Sequence, residues 1–278
     1  MEIEKLTDSF GARIHGLDLS IPLNREEHAE LHKAWLDYQV LIFPDQVMTE
    51  EDQIAFTKYW GEMPLRKRYA GRREEDRRTH ESVMLISNIR EDGEPIGSLP
   101  DGDMMFHSDG QYDEHPYRYT MLYALEVPKS GGNTLFGNCY DAYEALPDKL
   151  KKIISGRKVL QVYDYTIRTK PRREGLDRIP HFWQPVVVQH PVTGRKALYL
   201  DRLMTAAIDG FTETESDELL AELFPYVERA DYEHKWRLGD YVIWDNRCTV
   251  HARREFPSDQ RRLLKRGKVE GNALIAAG

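Results

Sequence analysis

Short apolar runs rich in strand-forming residues recur through the later two thirds of this 278-residue chain. After residue 103 they cover residues 119–125, 157–163, 185–190, 196–200, 240–245 and 261–269. These runs do not alternate regularly with helices, which disfavours a doubly wound parallel sheet and favours packed antiparallel sheets. We therefore predict a mainly β fold with flanking helices, of the double-stranded β-helix (jelly-roll, cupin-like) type.

Three helix starts are marked by side chains that can cap an N-terminus. Asn24, Thr49 and Thr212 each precede a segment with apolar residues at helical spacing, and their oxygens can accept hydrogen bonds from the first backbone N–H groups. The predicted helices cover residues 25–38, 50–60, 140–154 with a break at Pro147, and the segment after Thr212.

The charge balance limits the class of protein. The chain has 39 Lys and Arg against 47 Asp and Glu, a net charge of -8, and 40% of its residues are hydrophobic. This composition is typical of a globular protein and excludes a disordered, collagen-like or membrane-spanning chain. Cys139 and Cys248 cannot build a disulfide scaffold. With no signal-peptide pattern at the first residues, we expect reduced thiols and a cytoplasmic location.

One long segment has the composition of loops. Residues 66–78 are arginine-rich and residues 91–102 are rich in Gly, Pro and Asp, with a short strand predicted over 83–87 between them. Loops of this length in a compact domain usually bind or cover a ligand, so we predict an active-site lid over 64–102. The basic run also contains acids, and the chain pI is about 5.7. We therefore expect no nucleic-acid partner and no membrane partner.

His107 and Asp109 form a candidate metal site. They lie two residues apart, so on a strand both side chains would leave the same face. His251, which follows an apolar strand and a polar turn, is the strongest candidate for a third ligand, and His115 is an alternative. Two histidines and one carboxylate leave half of an octahedron open, as in non-haem Fe(II) oxygenases. A His-x-Asp pattern by itself is weak evidence.

Ordered segments along nearly the whole chain resemble the taurine and chlorophenoxyacetate dioxygenase family of Fe(II)- and 2-oxoglutarate-dependent oxygenases. The matching segments cover residues 10–19, 38–43, 106–109, 130–134, 190–194, 197–199 and 242–247. The resemblance implies that His107, Asp109 and His251 bind Fe(II). It also implies that Arg262, with Thr134, binds the distal carboxylate of 2-oxoglutarate. With Asp109 present, the expected reaction with O2 is hydroxylation rather than halogenation.

The resemblance extends to substrate binding. Arg266 stands where taurine-type members bind the anionic group of their substrate, and four residues separate it from Arg262 on a predicted strand, so both would share a face. Asp103 stands where the taurine enzyme has an asparagine, which disfavours taurine itself. Tyr69, in the predicted lid, is a further candidate for substrate contact.

We therefore predict a dioxygenase that hydroxylates a small carboxylate or sulfonate and releases succinate and CO2. The alternative is a cupin-like protein that binds a metal or small ligand without turnover. Because Asp109 and His251 must meet at one ion although they are 142 residues apart, we expect one domain over residues 1–278. The resemblance also implies a homo-oligomer, either a dimer or a tetramer.

Overall fold

The computed structural model describes residues 1–8, 10–65, 79–99, 102–163, 171 and 173–278. Within them the strands are β1 (Glu2–Lys5), β2 (Ala12–His15), β3 (Val40–Phe43), β4 (Met84–Ser87), β5 (Arg90–Glu91), β6 (Glu94–Pro95), β7 (Met104–His107), β8 (Tyr119–Glu126), β9 (Thr134–Asn138), β10 (Lys158–Val162), β11 (His181–Pro185), β12 (Val187–Gln189), β13 (Lys196–Leu198), β14 (Thr205–Ile208), β15 (Tyr232–His234), β16 (Tyr241–Asp245), β17 (Thr249–Arg253) and β18 (Leu263–Val269). The α-helices are α1 (Arg25–Tyr38), α2 (Glu50–Thr57), α3 (Cys139–Glu144), α4 (Asp148–Ile154) and α5 (Glu213–Val227).

The larger sheet has seven strands in the order β1-β2-β3-β16-β8-β18-β4. Its neighbours are antiparallel except for β2 and β3, which run parallel. The sheet therefore joins strands from the start of the chain to strands near its end. Hydrogen bonds between distant segments hold the N-terminal third against the C-terminal strands.

The smaller sheet has four strands in the order β15-β9-β17-β7. Phe136 on β9 packs with the ring of Trp244 on β16 at 5.4 Å between centroids, in one buried cluster that also includes Val242 and Leu264 of the larger sheet. Each large apolar side chain buried in this way stabilises the fold by about 1.5–3 kcal/mol. This mainly β jelly-roll architecture confirms the predicted fold class.

Helices α1 and α2 cover the outer face of the larger sheet. Trp35 of α1 packs against Trp60 at 5.2 Å between ring centroids and against Tyr119 of β8 at 4.7 Å. The capping residues Asn24, Thr49 and Thr212 all accept backbone N–H groups, as predicted, and each completes a capping box. Of the helices that the structure describes, none is long and apolar enough to cross a membrane.

Several predicted boundaries differ from the structure. The second helix ends at Thr57, because Tyr59 and Trp60 donate to carbonyls three residues back and the chain tightens into turns before Gly61. The predicted strand 185–190 is divided between β11 and β12, which belong to different sheets. The predicted break at Pro147 is confirmed, since α3 and α4 lie on either side of it.

Part of the predicted lid falls outside the described residues. Residues 66–78, which include Tyr69, and residues 100–101 are not among them. The strand predicted over 83–87 is confirmed, because β4 pairs with β18 at the edge of the larger sheet. The role of this segment as a lid stays a prediction.

Candidate active site

His107, Asp109 and His251 come together as a potential metal site. One ligand atom from each lies within 4.8 Å of the others. His107 and Asp109 are buried, and His251 is 9% exposed. Elsewhere in the described ranges, no three His, Cys, Asp or Glu side chains form such a group.

The smaller sheet places the two histidines. His107 is the last residue of β7 and lies directly opposite His251 of β17, with 4.2 Å between ring centroids. Asp109 is not on the strand, so the expectation that a strand would orient both His107 and Asp109 is wrong. A turn brings Asp109 to the histidines. Gly110 in this turn has a φ of 83°, and a Cβ there would lie 2.7 Å from the Tyr117 ring.

The protonation states suit a divalent metal. Burial lowers the pKa of His107, and burial together with nearby His107 lowers the pKa of His251 well below its usual range. Burial alone would raise the pKa of Asp109. The positive charges of Arg266 and Lys268 outweigh the effect of burial and hold the pKa of Asp109 well below its usual range. The site therefore presents two neutral imidazoles and one ionised carboxylate, the forms that bind metals.

Hydrogen bonds leave metal-binding atoms available. The Nδ1 atom of His107 lies 2.8 Å from the Met105 carbonyl oxygen and donates to it, so Nε2 keeps a free lone pair. The Nδ1 atom of His251 is buried, and no described residue forms a hydrogen bond with it. Two histidines and a carboxylate with open positions are the donor set of non-haem Fe(II) oxygenases, and these residues fit that group.

Arg262 is a buried cation near the Gly131-Gly132-Asn133-Thr134 segment. It is 2% exposed, and its Nη1 has no hydrogen-bond partner among the described residues. Its Nε would lie 3.5 Å from a Cβ at Gly132. Burial, with a smaller contribution from Arg253, lowers the pKa of Arg262. Thr134 begins β9, and its hydroxyl oxygen accepts from Trp236 Nε1 at 3.0 Å. Its own O–H is therefore free to donate to a ligand.

Arg266 lies beside the metal site. Its Nη1 is 3.4 Å from Asp109 Oδ1, and its Nη2 is 3.0 Å from Met84 Sδ. Its Nε is buried and has no hydrogen-bond partner within the described ranges. Arg262 precedes β18, and the pairing of β18 with β8 shifts between Leu263 and Leu264. The strand alternation that placed Arg262 and Arg266 on one face therefore does not apply.

The other predicted site residues have different surroundings. Asp103 is exposed, and its carboxylate accepts the backbone N–H of Glu255, which ties the start of β7 to the segment after β17. Tyr69 lies outside the described residues. His115, the alternative ligand, is exposed and does not belong to the group of His107, Asp109 and His251.

Two further cations near the site were not predicted. Lys268 lies two residues after Arg266 on β18, and Arg253 lies two residues after His251 on β17. Residues two apart on a strand share a face, so this alternation could have identified both. Lys268 lies opposite Thr120 of β8, and the charge of Arg253 acts on Arg262.

Two histidines and one carboxylate in a jelly roll are typical of non-haem Fe(II) oxygenases. Comparisons with known proteins indicate the same class. The family model described as "Taurine catabolism dioxygenase TauD, TfdA family" matches residues 2–267. The (S)-phenoxypropionate/alpha-ketoglutarate-dioxygenase of Sphingobium herbicidovorans is 31% identical, covering 98% of this chain and 95% of that protein. The alpha-ketoglutarate-dependent 2,4-dichlorophenoxyacetate dioxygenase of Cupriavidus pinatubonensis is 30% identical, with 96% of each covered.

A solved structure is similar over the whole chain. AAD-2 in complex with Mn(II) and N-oxalylglycine has a TM-score of 0.83 and 30% identity, with 100% of each chain covered. The chain belongs to the taurine catabolism dioxygenase TauD, TfdA family, as the sequence resemblance predicted. It is a 2-oxoglutarate-dependent dioxygenase, and its cofactor is Fe(II), with 2-oxoglutarate and O2 as cosubstrates.

Proposed function

We propose that His107, Asp109 and His251 hold the Fe(II) ion and that Arg262 and Thr134 bind the distal carboxylate of 2-oxoglutarate. The observation that carries the 2-oxoglutarate assignment is the buried Arg262 guanidinium, whose Nη1 has no hydrogen-bond partner in the part of the chain that the structure describes. A buried charge without a partner is costly, and a carboxylate would satisfy it through charge-assisted hydrogen bonds. The free O–H of Thr134 would add one further donor.

When bound, iron supplies the activation of O2 that converts 2-oxoglutarate to succinate and CO2 and hydroxylates the substrate. The chain supplies orientation and a dry environment. The rings of Trp244 and Phe136 lie 4.7 and 6.4 Å from that of His251, where they exclude water from one side of the site. Arg262 fixes the cosubstrate at its carboxylate end.

We propose an anionic substrate, bound by Arg266 with support from Lys268. Arg266 reaches Asp109, so an anion held by its guanidinium would lie next to the metal site. Lys268 follows on the same face of β18 and adds positive charge. The two named relatives act on phenoxypropionate and 2,4-dichlorophenoxyacetate, both carboxylates. These points support a carboxylate or sulfonate as substrate. Substrate contact by Asp103 and Tyr69 stays a prediction.

The test is a screen for succinate release with Fe(II), 2-oxoglutarate and O2 over aryloxy acids, sulfonates, sulfate esters and amino acids. We expect stimulation by one anionic class and none by matched neutral amides or alcohols. Stimulation by neutral compounds alone would contradict the anionic proposal. Without O2, the Fe(II) and 2-oxoglutarate complex should show a weak visible absorption band. A folded, iron-loaded sample without this band would contradict the cosubstrate assignment.

Binding without turnover is the alternative reading of the same site. The family membership favours the enzyme, because the named relatives are dioxygenases. Slow succinate formation by the wild-type protein without any added substrate would exclude the alternative. Metal binding with no succinate under any tested condition would support it.

We also propose that residues 1–278 form one dioxygenase domain, since strands from both ends of the chain share the larger sheet. Cys139 and Cys248 are free and buried, which supports a reducing, cytoplasmic location. The homo-oligomer implied by the family resemblance stays a prediction. Sedimentation velocity of the purified protein would distinguish a dimer or tetramer from a monomer.

A further inference from the structure

A chain of buried hydrogen bonds ends on the Asp109 carboxylate. The Thr120 hydroxyl donates to Asp109 Oδ2 at 2.7 Å, and Asn246 Nδ2 donates to Thr120 Oγ1 at 2.9 Å. Trp244 Nε1 donates to Asn246 Oδ1 at 3.0 Å. Thr120, Trp244 and Asn246 are 0% exposed, so water does not compete for these bonds.

The chemistry of the donors fixes the direction of every bond. An indole N–H can only donate, so the Asn246 oxygen must face Trp244 and the Asn246 nitrogen must face Thr120. The backbone N–H of Asp109 also points to this oxygen, at 3.4 Å. The Thr120 oxygen already accepts from Asn246, which leaves its proton to donate to Asp109. The carboxylate therefore receives an oriented donor at Oδ2.

The larger sheet provides the side chains that support the Asp109 carboxylate. Thr120 on β8 lies directly opposite Trp244 on β16 and opposite Lys268 on β18. Asn246 follows β16 directly. Asp109 lies beyond the end of β7, so strand pairing does not fix its backbone. The sheet thus reaches the carboxylate through side chains rather than through backbone pairing.

We propose that Thr120 and Asn246 are positioning residues for the metal site. They hold Asp109 Oδ2 within the protein, so that the carboxylate binds the ion through Oδ1, the oxygen that Arg266 Nη1 approaches at 3.4 Å. This inference rests on the proposed role of Asp109 as a metal ligand. Groups that orient metal ligands typically change metal affinity about 10- to 100-fold when they are replaced.

The first test compares Thr120→Val with Thr120→Ser. Valine keeps the shape and suits a strand but lacks the hydroxyl, whereas serine keeps the hydroxyl. Titration with Co²⁺, without 2-oxoglutarate or substrate, should show affinity about 10- to 100-fold weaker for T120V. T120S should stay near the wild-type affinity. Equal Co²⁺ affinity for folded T120V and wild type would overturn the proposal.

Thr57→Val is the matched control. Thr57 is also fully buried, and its hydroxyl donates to the Gln53 carbonyl at 2.7 Å, but it lies on α2 at the outer face of the larger sheet. T57V should lose stability as T120V does and keep its Co²⁺ affinity. A similar loss of affinity in both variants would show a general structural effect and contradict a positioning role.

Asn246→Asp tests the direction of the chain. A carboxylate at position 246 has no N–H for Thr120 Oγ1 and competes with Asp109 for the Thr120 proton. N246D should weaken Co²⁺ binding, and the double variant with T120V should be little worse than either single variant. Full additivity would contradict one shared hydrogen-bonded chain.

Asp109→Ala distinguishes failure of the ligand assignment from failure of the positioning role. If D109A leaves Co²⁺ binding intact, the ligand assignment and this proposal both fail. If D109A abolishes Co²⁺ binding and T120V has no effect, the positioning role alone fails.

Discussion

The environment of Arg262 suits the binding of an anionic ligand and does not stabilise the ligand-free fold. Its guanidinium is 2% exposed, and Nη1 has no partner within the described structure. Its neighbour Arg261, by contrast, is exposed and paired with Glu126 at 2.7 Å. The two adjacent arginines therefore differ in what their charges cost. Arg262 is desolvated and has no anionic partner among the described residues, which is unfavourable, whereas Arg261 is solvated and paired with Glu126.

We expect Arg262→Met to separate binding from stability. Removing a buried charge without an anion should leave the free energy of unfolding of the ligand-free protein unchanged or raise it by about 1 kcal/mol or more. The KM for 2-oxoglutarate should rise about 100-fold, because the buried charge pair is lost. Urea unfolding and succinate kinetics measure the two effects. Arg261→Met is the control and should leave the KM for 2-oxoglutarate unchanged. A strong loss of ligand-free stability in R262M would contradict this account.

Arg266 is expected to act on the substrate rather than on 2-oxoglutarate. Arg266→Gln should raise the KM for the anionic substrate by at least about tenfold, since a charged hydrogen-bond partner is lost, with a much smaller change in the KM for 2-oxoglutarate. Lys265→Gln removes a cation from the opposite face of β18, where Lys265 pairs with Glu50 at 2.9 Å. This control should change neither constant. Equal effects of R266Q on both constants would contradict the division of roles.

At the scale of elements, the segment between β13 and β14 contacts the turn that carries Asp109. Asp201 lies between β13 and β14, and its carboxylate accepts from Met204 N at 2.8 Å and from Ser108 N at 3.3 Å. Ser108 lies between two of the proposed ligands, and its hydroxyl donates to the Thr249 carbonyl of β17. Asp201 therefore helps to fix the position of the turn that carries Asp109.

The pH dependence of stability should report on Asp201. Burial raises the pKa of Asp201 to about 7 from an ordinary value of 3.8. Between these values the folded protein keeps a proton that the unfolded chain releases, so this residue makes the free energy of unfolding fall as pH rises. For metal-free wild type, the fall attributable to it should be on the order of 2 kcal/mol from pH 5 to pH 8. Asp201→Asn should lack this fall in the free energy of unfolding. Urea unfolding at both pH values measures the difference, and identical pH dependence in the two proteins would contradict it.

At the scale of the whole molecule, the proposed metal ion joins distant parts of the chain. His107 and Asp109 lie near the middle of the sequence and His251 near its end, and β7 and β17 are neighbours in the smaller sheet. The strands β1 to β3 share the larger sheet with β16 and β18. Separation of β7 from β17 on unfolding would therefore separate His251 from the other two proposed ligands.

Cofactor binding should consequently stabilise the whole fold. With Fe(II) and 2-oxoglutarate under anaerobic conditions, each ligand at 100 times its Kd adds about 2.7 kcal/mol, seen as a higher Tm. His107→Ala and His251→Ala should lose the metal-dependent increase. His115→Ala, which changes an exposed histidine, should keep it. Loss of the increase in H115A with its retention in H251A would show that the ligand set is wrongly assigned.

Local patterns predicted many elements correctly. The N-caps Asn24, Thr49 and Thr212 and the strands β8, β16 and β18 need only side chains close in sequence to be recognised. The strands β9 and β17 were not predicted, although β17 carries His251. Both contain small or polar residues that are buried through pairing with distant strands, so their apolar pattern is weak. Sequence reasoning therefore identified His251 as a candidate ligand without predicting the strand that carries it.

The sequence alone determined the mainly β class, the family resemblance and the residue types available for a metal and two anions, because strand patterns, caps and ordered motifs are local properties of the chain. Only the tertiary structure placed His107 opposite His251, buried Arg262 without an anion and linked Asp109 to Thr120. Those relationships depend on strand register and on packing between segments, and His107 and His251 are 144 residues apart in the chain. Their energies come from desolvation and from hydrogen bonds that exist only once the two sheets have packed.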